Sequence, residues 1–370
     1  MGTAAHAYRR GRFQIAVADD RRRARADPRP VGAVLAGTGD DNFGDEWMGE
    51  ALAAGLPSCR LTDVTYPATE RRLGRLGLSG APLFAGVVIS GGTLINPYFL
   101  PRALGVLGDG LPAWTVGTGA GSAGFGVPED SADPDGWVEC LTRFERVTVR
   151  GPRSSARLAA AGFGHASAVG DLALAHVPDE PLRQSGSRRV LVNVSGTELE
   201  GVRGEGMAEE VVLESIGRAV RDLTGAGWAP VPLVLHRDDL PRLIVVGRIA
   251  GGWAGAPVVP RSAREAGAEM TRAGALVGMR LHAAALGWIH GVPTLGLAYR
   301  DKTLDFAEQV GAGNQVADLR TAAPAQLESA VQALVARPRE QAVAVHARAI
   351  TCRDALRSLL SSIDAQISGG

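Results

Sequence analysis

The chain has 370 residues, 45% hydrophobic and 21% charged, the balance of an ordinary soluble globular protein long enough for two domains. Lys plus Arg equals Asp plus Glu at 39 each, which excludes the basic excess of a nucleic-acid or polyanionic-surface binder. The three cysteines, Cys59, Cys140 and Cys352, are too scattered for a disulfide framework or a zinc site. With no apolar leader and no run near the roughly 18 residues of a membrane span, a cytoplasmic protein without a transmembrane segment is expected.

Residues 1–28 carry Arg9, Arg10, Arg12, Arg21, Arg22 and Arg23 with little apolar material, and read as a flexible basic tail. From Val31 onward, short apolar runs alternate with Ala/Leu-rich segments, the pattern of a parallel sheet with crossover helices. Strands are predicted at Val31–Leu35, Gly86–Ser90, Ala113–Gly117, Val147–Arg150 and Ala166–Val169, and helices at Asp45–Ala54 and Pro152–Ala161. A polar, Pro-containing interval, Val177–Ser187, reads as a linker. The pattern then restarts, with strands predicted at Arg189–Val194, Pro230–Leu235, Leu243–Val246, Ala275–Gly278 and Thr294–Ala298. Helices are predicted at Glu209–Leu223, Ser262–Ala273, His282–Ile289 and Thr303–Val310, before a long amphipathic helix at Pro338–Leu360. The fold class is α/β, with two Rossmann-like doubly wound domains at 29–176 and 188–335 facing across a cleft, followed by a C-terminal helix at 338–362.

The first strand leads into a glycine-rich loop, Gly37 to Gly44, whose amides and carboxylates suit a ligand. Asp45 and Glu46 follow in a first helical turn, either to act on a sugar hydroxyl or simply to complement the helix dipole. Gly119, Gly121 and Gly124 match G-x-G-x-x-G, but Gly126, Pro128, Asp130, Asp133 and Pro134 follow, so no helix opens there and a dinucleotide is not expected. His236-Arg237-Asp238 lacks every other kinase element. Arg150 ends an apolar strand, with Ser154 and Ser155 in the next helical turn, where a guanidinium either grips a carboxylate or phosphate or forms an ordinary ion pair. The most informative stretch runs from Val277 through Arg280, Leu281 and His282 to Lys302. It puts two cations and an imidazole at strand ends and a helix start, where a small, multiply charged anion would bind.

Five ordered motifs from residue 31 to about 310 resemble the polysaccharide pyruvyl transferase family. They are Asn42-Phe43-Gly44-Asp45-Glu46; Val88-Ile89-Ser90-Gly91-Gly92-Thr93-Leu94; Val149-Arg150 with Ser154 and Leu158; Gly170-Asp171-Leu172-Ala173-Leu174; and Met279-Arg280-Leu281-His282 with Pro293, Tyr299 and Lys302. Three positions depart from the family pattern. Gly151 stands where an acid is usual, Ser90-Gly91-Gly92 replaces a triple glycine, and Asp171-Leu172 replaces Asp-Pro. The resemblance implies a GT-B-like architecture and transfer of the pyruvyl group of phosphoenolpyruvate to sugar hydroxyls, leaving a ketal.

It further implies that Arg150, Arg280, His282 and Lys302 contact the donor, with Leu281, Asn42, Gly91, Gly92 and Ser154 completing the substrate site. An imidazole suits the proton transfer that such an addition requires, so His282 is the expected general acid or phosphate contact and Asp45 or Glu46 the acceptor-side base. Phosphoenolpyruvate is expected as a substrate rather than a cofactor, with a sugar, glycolipid or glycoside acceptor and neither metal nor nucleic acid. A GT-B glycosyltransferase or nucleotide-sugar epimerase is the enzyme alternative, and a non-catalytic sugar-binding relative the other.

Overall fold

The computed structural model describes residues 29–36, 42–64, 84–107, 110–121, 135–182, 186–195 and 208–369. The basic tail 1–28, loop residues 37–41 and the end of the G-x-G-x-x-G run at 122–124 lie outside them.

The first sheet contains β1 (Val31–Leu35), β2 (Arg60–Asp63), β3 (Gly86–Ser90), β4 (Ala113–Thr118), β5 (Arg146–Val149) and β6 (Ser167–Ala168). Its order is β2-β1-β3-β4-β5-β6, and every pairing is parallel. The crossovers carry α1 (Phe43–Gly55), α2 (Leu100–Val106), α3 (Asp135–Leu141) and α4 (Pro152–Ala160). The second sheet has the order β11-β10-β9-β7-β8, from β7 (Arg189–Asn193), β8 (Ala229–Pro232), β9 (Ala275–Gly278), β10 (Thr294–Ala298) and β11 (Val316–Asp318). Its helices are α5 (Glu209–Gly225), α6 (Asp239–Ala250), α7 (Ala263–Thr271), α8 (Leu281–His290), α9 (Asp301–Gln309) and α10 (Pro324–Leu334). Central strands such as β3, β4 and β10 are buried along their whole length, which is why they read as unbroken apolar runs.

The strand predicted at Leu243–Val246 is instead the middle of α6. Four consecutive apolar residues fit either element. Here Leu243 and Val246, three residues apart, face the core, while Ile244 and Val245 are 53% and 38% exposed. Strand β2 escapes the pattern because all four of its residues are only half-buried. The last helix, α11 (Arg339–Gly369), runs past Leu360 because its final turns bury Ile363 and Ile367. It begins on the second sheet's side, where His346 Nδ1 donates to the Ile289 carbonyl at 2.7 Å. It ends on the first, where Asp364 accepts from Ser58 N at 2.9 Å and Gln366 accepts from Trp114 Nε1 at 3.1 Å. One helix thus ties both units together. Among the described residues no helix is long and apolar enough to cross a membrane.

In the last turn of α8, buried His290 donates Nδ1–H to the Leu286 carbonyl at 2.7 Å, and burial pushes its pKa down to about 4. The unfolded chain therefore binds a proton between pH 6.5 and 4 that the native state refuses, so stability falls as the pH drops through that window. His346 is shifted the same way by burial. Melting measured from pH 7 to 4 should show a loss on the order of 3 kcal/mol from His290, and His290→Gln should flatten the curve. An identical slope in that variant would place the acid sensitivity elsewhere.

Candidate active site between the two sheets

The carboxyl ends of the strands in both sheets meet across a cleft. At the junction Phe43 N, opening α1, donates to the Leu235 carbonyl beyond β8 at 3.0 Å. Asn42 caps α1, accepting from Gly44 N at 3.1 Å and donating to Asp45 Oδ2 at 2.8 Å. Opposite, β9 turns into α8 and delivers His282 to the first turn of that helix. A Cβ on Gly44 would lie 1.8 Å from His282 Nδ1, so the ring occupies space that only glycine leaves open. Trp47 meets the ring edge-on, with centroids 6.0 Å apart.

The other side of the ring faces Asp171, which follows β6 and caps the short 3-10 helix Leu172–His176. His282 Nε2 stands 3.6 Å from Asp171 Oδ1, beyond an ordinary hydrogen bond. This nitrogen is buried and has no hydrogen-bond partner among the described residues. Arg150, at the end of β5, donates Nε–H to Asp171 Oδ2 at 3.0 Å, and its far end reaches the Gly92 carbonyl and, at 3.4 Å, Thr93 Oγ1. Gly91 and Gly92 adopt positive φ of 64° and 53°, the left-handed turn that aims this loop at the guanidinium. Burial alone would raise the Asp171 carboxyl, yet the facing His282 ring and the Arg150 charge hold it down to about 2.

Arg150 is only 2% exposed, so it orders the glycine loop as well as bordering the cleft. Removing one member of a fully buried ion pair strands the other charge. Arg150→Ala should therefore lower stability by roughly 3–5 kcal/mol in denaturant titrations, on top of any effect on ligand binding. Unchanged stability would show that Asp171 finds another partner.

Arg280 is held by a separate network. Its Nε–H donates to Asp239 Oδ1 at 2.7 Å and its backbone N–H to Asn193 Oδ1 at 2.9 Å. Buried Asp239 also accepts from Asn193 Nδ2, Leu235 N and His236 N through Oδ2. Lys302 shares a cleft wall with Thr93, Gly119, Arg150, Ser154 and Arg157.

Ser154 is committed within the protein. Its Oγ accepts from Ala120 N at 3.1 Å and donates to Asp305 Oδ2 at 2.6 Å. Asp305, reaching over from α9, also accepts from Arg153 N and Ser154 N, capping α4 from the other domain. Burial raises its pKa. A Cβ on Gly151 would lie 2.4 Å from Asp305 Oδ1, which explains the glycine at that position: Asp305 fills the space of a side chain there. Leu281 is buried in the core, so its side chain is not presented to a ligand. Glu46 is exposed, whereas Asp45 is half-buried beside a hollow lined by Val34, Met48, Leu61 and Ser90. Asp171, Asp239, Asn193 and Asp305 went unassigned in the sequence. Only Asp171 carried a signal there, as part of a five-residue motif.

Two parallel α/β sheets facing across a cleft, tied by a returning C-terminal helix, define a GT-B-like protein. Residues 42–301 match the family described as polysaccharide pyruvyl transferase, and the chain belongs to that family of transferases. No curated protein matches the sequence. Among solved structures the chain is similar to S. aureus MnaA in its co-structure with UDP, with a TM-score of 0.61, 11% identity, and coverage of 91% of this chain and 96% of that one. It is also similar to the UDP-GlcNAc 2-epimerase of Neisseria meningitidis bound to UDP-GlcNAc, with a TM-score of 0.56, 11% identity, and coverage of 90% and 99%. At such identities the likeness is one of fold.

Proposed function

We propose that the protein transfers the pyruvyl group of phosphoenolpyruvate to hydroxyls of a sugar, glycolipid or glycoside, forming a ketal and releasing phosphate. The observation that carries this reading is His282 of one domain seated between Gly44 and Asp171 of the other, at a cleft whose wall includes Arg150, Arg157 and Lys302. A donor bearing a carboxylate and a phosphate calls for such cations. His282 gives its proton to the methylene carbon, which becomes a methyl group and leaves C2 electrophilic. One acceptor hydroxyl adds at C2, with Asp45 or Glu46 as the carboxylate that takes its proton. Phosphate leaves and takes up the proton of the second hydroxyl as that hydroxyl closes the ring, and the proton held by the carboxylate returns to His282 through solvent. The addition and elimination balance without a redox partner, so phosphoenolpyruvate acts as substrate and no cofactor is proposed.

The test is incubation of the protein with phosphoenolpyruvate and a panel of glycosides, reading phosphate release together with the mass of the pyruvyl adduct. Neither signal with any acceptor would favour a nucleotide-sugar reaction on the same fold, whereas release without an adduct would keep the donor and place the acceptor outside the panel. Lys302→Ala removes a charge-assisted contact worth roughly 1.5–3 kcal/mol, so phosphoenolpyruvate should bind about ten- to over a hundredfold more weakly. Unchanged affinity in calorimetry of the folded variant would remove Lys302 from the donor site.

A further inference from the structure

We propose that Asp171 is the positioning residue of this site: one carboxylate holds Arg150 of the first sheet and faces His282 of the second, so that the imidazole takes its working orientation only when the two domains are closed. The proposal rests on the pyruvyl-transfer reading for its kinetic arm alone. Asp171 is fully buried, and each oxygen has a defined task. Oδ2 accepts from Arg150 Nε at 3.0 Å. Oδ1 accepts from Ala173 N at 3.0 Å and lies 3.6 Å from His282 Nε2.

The carboxylate cannot turn toward His282 without giving up Arg150 or the Ala173 amide, so the ring must come to it. The ring is confined on its other side, where Nδ1 lies against Gly44. Both confining residues belong to the first unit, while His282 is carried by α8 of the second. The imidazole is therefore oriented by the domain opposite its own, and separation of the units releases it. An acid–base group held within fractions of an ångström by fixed neighbours keeps its reactive geometry, and small displacements are costly.

Asp171→Asn keeps the size of the side chain and an acceptor for Arg150 but removes the charge facing His282. Turnover should fall on the order of 10- to 100-fold, with the KM for phosphoenolpyruvate changing much less. In the His282→Gln background the same substitution should change turnover less than twofold, because a residue acting through His282 has nothing left to position. Additive losses in the double variant would overturn the proposal, as would wild-type turnover in Asp171→Asn.

A second readout needs no substrate. Diethylpyrocarbonate modification of His282, followed by peptide mass spectrometry, should be several-fold faster in Asp171→Asn than in the wild type. Equal rates would overturn the proposal even if the transfer reaction proved to be a different one. A slow wild-type rate with no pyruvyl transfer would instead retire the reaction and keep the positioning. Should Asp171→Asn fail to fold, Asp171→Ser, which leaves room for water beside Arg150, takes its place in both measurements.

Discussion

His282→Gln should lower turnover of phosphoenolpyruvate by roughly 100- to 10,000-fold, the range for losing a general acid, while donor affinity changes far less. Glutamine retains much of the ring's hydrogen-bonding shape but has no proton to give at neutral pH. The substitution thus removes the chemistry and spares the packing. Space around the ring is set by Gly44, Trp47 and Asp171, and the shorter amide fits within it. Rate and phosphoenolpyruvate binding are to be measured on the same folded sample. Near-normal turnover would make His282 a binding residue and turn attention to His236, whose Nδ1 accepts from Asp238 N at 3.2 Å at the start of α6.

Gly44→Ala should cost about 100-fold in turnover, although it adds one methyl group far in sequence from the proposed acid. The new Cβ would lie 1.8 Å from His282 Nδ1 and 2.6 Å from Cε1, so either the ring or the first turn of α1 must move. A displacement of about 1 Å at a reacting group is enough for a loss of that size. The same change favours the helix, since alanine is preferred over glycine there by roughly 0.5–1 kcal/mol. Local helix stability therefore rises while the site is disturbed, which separates this effect from unfolding. Turnover within twofold of wild type, in a protein of unchanged melting temperature, would show that His282 relaxes without consequence and that its confinement is not needed.

Both variants probe contacts that join residues 44, 171 and 282, and the sequence showed each of these only inside its own motif. Glycine in Asn42-Phe43-Gly44-Asp45-Glu46 reads as loop freedom. The structure gives it a different reason, because Gly44 sits within α1 and its missing side chain makes room for a ring from the other domain. Gly151 follows the same logic, with Asp305 in the place of an absent side chain. Ser154 reads as a ligand-facing hydroxyl, whereas its oxygen is already engaged by Ala120 and Asp305. Arg150 reads either as a clamp on a ligand or as one half of an ordinary ion pair, and the structure pairs it with Asp171 and nearly buries it.

Features that depend on near neighbours along the chain were legible in the residues alone. Apolar runs and helix starts marked most of the central strands and crossover helices, the restart after Ser187 marked two α/β units, and the five motifs marked the family. Strand ends and first helical turns are local features, so Arg150, Arg280, His282 and Lys302 could be assigned to such positions without coordinates. The four-residue run Leu243–Val246 was ambiguous because periodicity needs more than one turn to distinguish a strand from a helix. Which charges meet depends on packing between distant parts of the chain. Asp171 with His282 spans 111 positions, 282 less 171, and Asn193 with Asp239 spans 46. The first pairing is set by how the two units dock and the second by how β7 and α6 pack within one unit, and burial then decides whether a cation is presented to a ligand or held by a carboxylate.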